Sequence, residues 1–179
     1  TASPAIAHMV KQAAPDIHVR ASVNMRIGTV QGMAYLADLF DEYVLQRDIN
    51  RRPAQLETLC AWARAQGKGV SLLVNSVCMR HCSGQTFHDN LVAHGTQVDA
   101  LCNLSGFEAH TCWRYLQKDR AHWPTVMQAT WIRPEDLHRY APYIDVAKLA
   151  TRMHPAPWAV LDAYASGHWQ GNLLDLFEP

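Results

Sequence analysis

Short apolar runs of strand length alternate with amphipathic stretches of helical period, and this alternation limits the fold more than any single residue does. Residues 17–23, 42–45, 69–74, 126–129 and 143–149 read as strands. Between them, apolar side chains recur at helical spacing. Over 29–40 these are Val30, Met33, Ala34 and Ala37, with Leu36 and Phe40 widening the face. Over 53–66 they are Leu56, Leu59, Cys60 and Trp62 or Ala63. Pro53 suits a first helical turn and Gly67 a C-terminal stop. Arg133-Pro-Glu-Asp-Leu137 reads as a helix start, with Pro first and acids in the first turn. Residues 157–166 read as a final helix closed by Gly167. Residues 83–119 carry weaker signals, with helices expected near 87–94 and 111–117.

Strands that alternate with helices through short links run parallel, with right-handed crossovers. The expected class is therefore α/β, a partial (β/α) TIM-like barrel with parallel strands. A complete eight-unit barrel takes about 250 residues, with roughly 200 near the lower limit. The chain has 179 and four or five units. Residues 1–179 are expected to form a single barrel-like domain, the C-terminal part of a larger barrel or a segment that completes its sheet with another chain or copy. The opening without Met, in what reads as mid-helix, fits a fragment. The rival is an open doubly wound sheet, for which no glycine-rich phosphate loop is present.

Charge narrows the partners. Sixteen basic residues balance sixteen acidic ones. No basic excess drives sequence-independent nucleic-acid binding, although a local patch for a structured RNA is compatible with the balance. No apolar run is long enough to span a bilayer, and the first residues lack the pattern of a signal peptide. Five cysteines make an odd count for a disulfide framework. A reducing, cytoplasmic setting is expected, where metal or redox chemistry outranks disulfides.

In parallel α/β folds the C-terminal strand ends share one face, and function sits there. Those ends carry Ser22 and Asn24, Arg47 and Asp48, Asn75 and Cys78, and Lys148 and Arg152. Arg133, Glu135 and Asp136 sit at a loop-to-helix junction expected on the same rim. The set is rich in guanidinium groups, which suits a small anionic ligand. Arg47–Asp48 and Arg133–Glu135 are equally well explained as rim salt bridges. Trp131, close to Arg133, is placed to stack on a ring-shaped ligand. No Gly-x-Ser-x-Gly elbow, Walker loop or His-Glu-x-x-His helix occurs.

Four of the five cysteines fall between 78 and 112. Cys78 and Cys82 enclose three residues, not the two typical of zinc ribbons, and Cys102 and Cys112 enclose nine. Thiolates on loops can converge on a 4Fe–4S cluster, or bind Zn with His81, His88 or His110 as a nitrogen ligand. Cys102 and Cys112 also fit as buried fillers. Cys60, on a helix's apolar face, is expected in the core.

The order of these motifs resembles a known family. Ala21-Ser-Val-Asn-Met25, Val44-Leu-Gln-Arg-Asp48 and Val74-Asn-Ser-Val-Cys78 with Cys82 are similar to the collagenase-like peptidases of unassigned catalytic type. So are Trp131-Ile-Arg-Pro-Glu-Asp-Leu137, Asp145-Val-Ala-Lys-Leu149 with Arg152, and Gly171-Asn-Leu-Leu-Asp175. The likeness spans nearly the whole chain and the later part of a typical member. It implies a β/α-barrel-like domain and a 4Fe–4S cluster on four cysteines, here Cys78, Cys82, Cys102 and Cys112. The spacing after Cys82 departs from the common family pattern. Several relatives are linked to oxygen-independent hydroxylation of ubiquinone precursors or RNA bases, with prephenate as a proposed oxygen donor; others carry the protease label. The resemblance implies an iron–sulfur redox enzyme acting on a small anionic or aromatic molecule. Arg47, Arg133 and Lys148 would be its catalytic cations, and Ser22, Asn24, Asn75, Glu135 and Arg152 would bind substrate. The alternatives are a zinc-dependent peptidase and a non-catalytic half-barrel that binds a partner.

Overall fold

The computed structural model describes residues 1–94, 110–152 and 154–177. The chain is described as two compact units, Thr1–Val77 with Thr130–Pro179, and Cys78–Ala129.

The first unit is built on four parallel strands in the order β1-β2-β3-β4: Arg20–Ala21, Glu42–Val44, Gly69–Leu73 and Val146–Lys148. Ala21 pairs with Tyr43, Tyr43 with Val70, and Leu72 with Ala147. The class is α/β, as the alternation predicts. The sheet is open, and the described residues close no barrel. All of β2 and four of the five residues of β3 are buried. Central parallel strands covered on both faces lose the in–out alternation and read as continuous apolar runs.

Two expected strands contract. Residues 17–23 pair only at Arg20–Ala21, and residues 143–149 only at Val146–Lys148. A third is corrected: residues 126–129 are not a strand, because the short helix Pro124–Met127 and the turn after it occupy them. Proline at the first helical position presets φ and donates no hydrogen bond that a helix start would need, so it nucleates this turn.

Local chemistry explains the helices. In α1 (Pro4–Ala13) the Ser3 hydroxyl accepts from the Ile6 amide at 3.3 Å, and Pro4 begins the first turn. In α2 (Val30–Ala34) the Thr29 hydroxyl caps the Gly32 amide at 3.0 Å. The helical path expected to run on to residue 40 continues only as turns, yet Met33, Leu36 and Phe40 are still buried. In α3 (Pro53–Ala65) the buried residues are Leu56, Leu59, Cys60 and Ala63, one stripe at helical spacing. Burying each leucine contributes roughly 2 kcal/mol. Gly67 takes φ 65° just beyond the end, and the Lys68 amide reaches back to the Ala63 carbonyl at 2.8 Å. Residues 134–139 form a 3-10 turn instead of the α-helix expected there. The last helix of this unit, Pro157–Ser166, ends on Gly167 at φ 67°. Its Val160, Ala163 and Tyr164 join Tyr43, Leu72, Val74 and Ile132 in one core.

Candidate functional site

The strand-end residues of the first unit fall into small groups. After β1, the Ser22 hydroxyl accepts from the Asn24 amide at 3.3 Å and caps the turn Val23–Met25. The Asn24 Oδ1 faces the Arg47 Nη2 at 3.5 Å. These two predicted residues, from the ends of neighbouring strands, are thus brought together. Asn75, after β3, is fully buried. Its Nδ2 donates to the Ala150 carbonyl at 2.6 Å, and its Oδ1 accepts from the Ala150 amide at 2.7 Å. Both ends of that amide are used to tie the chain after β3 to the chain after β4.

Arg133 is exposed and pairs through Nε with Asp136 Oδ2 at 2.9 Å, not with Glu135. Their bond holds the Arg133 guanidinium above its ordinary range and the Asp136 carboxyl below its own. The Glu135 Oε1 accepts from the Trp169 amide at 2.8 Å, with the His168 ring at 3.7 Å. Burial pushes Glu135 upward. Backbone N–H donors at 135 and 169, with Arg133 and His168, outweigh it and leave the carboxyl below its usual value. Lys148 is half-buried at the end of β4, and its charge helps to lower the Thr1 ammonium, which burial lowers most. Arg152 is exposed. Trp131, read as a stacking surface, is instead 1% exposed and meets the Phe177 ring at 4.8 Å between centroids.

The same end of β1 and β2 holds a cavity of about 320 Å³. Arg26, Thr29, Tyr35, Gln46, Arg52 and Gln55 are among the residues that line it. The sequence singles out none of these as site residues: Gln55 lies in the first turn of α3, and the others lie on the links beyond the strand ends. The available signal was Gly28, which nothing in the helical or strand pattern requires.

The second unit carries the thiols. Cys78, Cys82 and Cys112 are all partly buried, and none of the described cysteines forms a disulfide. Burial raises the Cys112 thiol, and the charges of Cys82 and Cys78 raise it further. A Cβ placed on Gly84 would lie 3.1 Å from the Thr111 Oγ1 and 3.8 Å from the Cys82 Sγ, so Cys82 and the start of the helix bearing Cys112 flank Gly84. His81, between the first two cysteines, has φ 53°, in the left-handed region. The His88 and His110 rings meet edge-on at 4.6 Å. Among the described residues, no three His, Cys, Asp or Glu side chains are gathered as ligands of one ion. Cys102 lies outside the described residues. Cys60 is 1% exposed on α3, in the core as expected.

No protein-family model matches the sequence, and no solved structure matches it. An uncharacterized protease of Methanocaldococcus jannaschii is 29% identical over 111 residues, which is 61% of this chain and 32% of that relative. The match thus spans about a third of the relative's length. Among the described residues no helix is long and apolar enough to cross a membrane.

Proposed function

We propose that this chain is part of a protein of the collagenase-like peptidase type that carries an iron–sulfur cluster and performs redox chemistry on a small anionic or aromatic substrate. The observation that supports the reading is that Cys78, Cys82 and Cys112 belong to one compact unit, in which the charges of Cys82 and Cys78 act on the Cys112 thiol. Thiolates are soft ligands, and a cationic centre would offset their mutual repulsion, so the chemistry of these side chains suits a soft metal cluster, whose binding would have to draw the sulfurs together. Cys102 is the expected fourth ligand. When bound, the cluster would supply one-electron transfer.

In this reading Arg47, Arg133, Lys148 and Arg152 attract and orient the anion, with Ser22, Asn24 and Glu135 arranging the cations around it. Asn75 acts as a positioning residue, since its amide holds two strand ends together. The consecutive parallel order of β1 to β4 supports a segment of a larger barrel, in which each strand neighbours the next in sequence.

The test is anaerobic purification followed by iron and sulfide analysis with visible absorption. The expected result is a coloured protein with about four iron and four sulfide per chain, lost in Cys78→Ser. A colourless, iron-free protein under those conditions overturns the cluster.

The name of the archaeal relative favours a second reading, a metal-dependent peptidase. Zinc on the thiols, with His88 or His110 as a nitrogen ligand, would polarise a carbonyl and activate water. That reading expects cleavage of a denatured collagen peptide that stops on chelation. Cleavage unchanged in Cys78→Ser argues against it.

A further inference from the structure

The chain leaves the sheet after β3 and returns at Thr130 through one neck, built wholly from residues of the first unit. The Ile132 amide donates to the Val74 carbonyl at 2.7 Å, and the Thr130 hydroxyl donates to the Ser76 carbonyl at 3.0 Å. Outgoing residues 74–76 thus run opposite to returning residues 130–132. Asn50 grips both sides. Its Nδ2 donates to the Leu73 carbonyl at 2.9 Å and to the Thr130 carbonyl at 2.8 Å. The Arg51 Nη2 donates to the Trp131 carbonyl at 2.7 Å, and the Tyr164 hydroxyl to the Ile132 carbonyl at 2.6 Å. Val74, Thr130, Trp131 and Ile132 are all buried. Asn50 is buried too, and its Oδ1 has no hydrogen-bond partner among the described residues. An unmade buried acceptor is costly, so this amide is retained for the two bonds that it donates across the neck.

Beyond the neck the packing changes. Among the described residues from 78 to 128 none is buried, and the helices Gln85–Ala93 and Thr111–Lys118 bury no side chain. The core that unites β2, β3 and the last helix of the first unit draws no described residue from this segment. Side-chain bonds there include short-range ones: the Trp123 Nε1 donates to the Leu116 carbonyl at 3.1 Å, seven residues back, whereas Asn50 reaches Thr130 across 80. Segments of about 50 residues with little buried apolar surface are marginal on their own contacts. Regions of this kind open at a lower free energy than the core strands beside them. The thiols of Cys78, Cys82 and Cys112 are partly buried in the closed form, so their full exposure requires such an opening.

We propose that Cys78–Ala129 opens as a cooperative unit of its own, that the hydrogen-bonded neck is the boundary at which opening stops, and that the three thiols thereby become accessible while the sheet stays folded. The neck confines the opening because its bonds and its burial belong to the first unit and persist when the inserted segment loosens. Loading of a soft metal through this opening rests on the cluster reading above. The opening itself does not, so iron content and local exchange fail or succeed separately.

Hydrogen exchange read by peptide mass spectrometry, on the 179-residue chain freed of metal with EDTA, tests it. Amides of 85–93 and 111–118 are expected to exchange at least about a hundredfold faster than those of β3 and of residues 130–132. The slowest amides of the two helices share one dependence on urea, as members of one opening unit do. Asn50→Ala removes both donated bonds of the neck. It speeds exchange in β3 and 130–132 by about tenfold or more and leaves 85–93 and 111–118 within about twofold of the parent. Thr130→Val, which loses the bond to Ser76 and keeps the side-chain shape, gives the same contrast with a smaller change, and serves if Asn50→Ala does not fold. Equal protection of the helices and β3, unrelated urea dependences of the two helices, or a neck variant that speeds both regions alike overturns the proposal.

Discussion

Asn75 and Ala150 form a closed two-bond ring: the asparagine amide donates to the alanine carbonyl at 2.6 Å and accepts from the alanine N–H at 2.7 Å. A side chain thereby completes a backbone ladder just past the last paired residues of β3 and β4. Its Nδ2 also lies 3.4 Å from the Leu176 carbonyl, which adds the C-terminal turn to the same junction. Removing the amide leaves the Ala150 backbone groups without this partner in a buried setting, at about 1–3 kcal/mol for each group left unmade. Asn75→Ala is expected to lower stability by about 3 kcal/mol, read as a lower urea midpoint with an unchanged slope. Asn75→Asp keeps the acceptor but sets a buried carboxylate against the Ala150 carbonyl, so at neutral pH it is at least as destabilising as Asn75→Ala. A midpoint for Asn75→Ala within error of the parent would show that the junction is held elsewhere.

Glu42 makes the fold sensitive to acid. Burial pushes its carboxyl up, but the Ser71 hydroxyl, Arg20 and His18 outweigh that and leave it below the ordinary 4.5. Arg20 Nε lies 2.8 Å from the carboxylate and the His18 ring 3.1 Å. A carboxyl whose folded value is depressed contributes stability that is present above its unfolded value and lost as pH falls through the folded one. Unfolding free energy should therefore drop below about pH 4.5. Asp41, depressed by Lys11 and the Val19 amide against burial, adds to the same loss. In Glu42→Gln the neutral-pH stability is lower and the acid slope shallower; denaturant titrations from pH 7 to pH 3 measure both, and parallel slopes would contradict the assignment.

Cys60 should resist alkylation. Burial on the inner face of α3 pushes its thiol up to about 11. At pH 8 only about one molecule in a thousand carries the reactive thiolate at that site. Iodoacetamide is expected to label the partly exposed Cys78 and Cys82 first and Cys60 only in urea, as followed by peptide mass spectrometry. Labelling of Cys60 in the folded protein at the rate of Cys82 would show that this part of the core opens.

Arg133 separates binding from stability. Its side chain is 45% exposed and its ion pair with Asp136 is three residues away in sequence. Exposed pairs of this kind contribute about 0.2–1 kcal/mol. Arg133→Ala should shift the melting temperature by a few degrees at most. If the proposed substrate site includes this guanidinium, the same variant loses substrate affinity by about tenfold or more. A large melting shift without an affinity change would make Arg133 a structural residue.

The limits of α3 and of the last helix of the first unit are legible in the sequence because their causes are local. Proline at a first turn, glycine in a left-handed stop and apolar residues three and four apart act within one or two turns of chain. The α/β class follows equally from period, since buried parallel strands and amphipathic helices differ in it. Residues 126–129 misled because four residues are too few for period to separate a strand from a helical turn, and Pro124 was the stronger signal. The partners of polar side chains are of another kind. Asn75 meets a backbone 75 residues away, Glu42 meets Arg20 and Ser71 from the two neighbouring strands, and Arg26 comes to share a cavity with Arg52. Such meetings depend on the register of one strand against the next and on the path each link takes after it. Those distances are set by packing across the sheet, which no window of neighbouring residues contains.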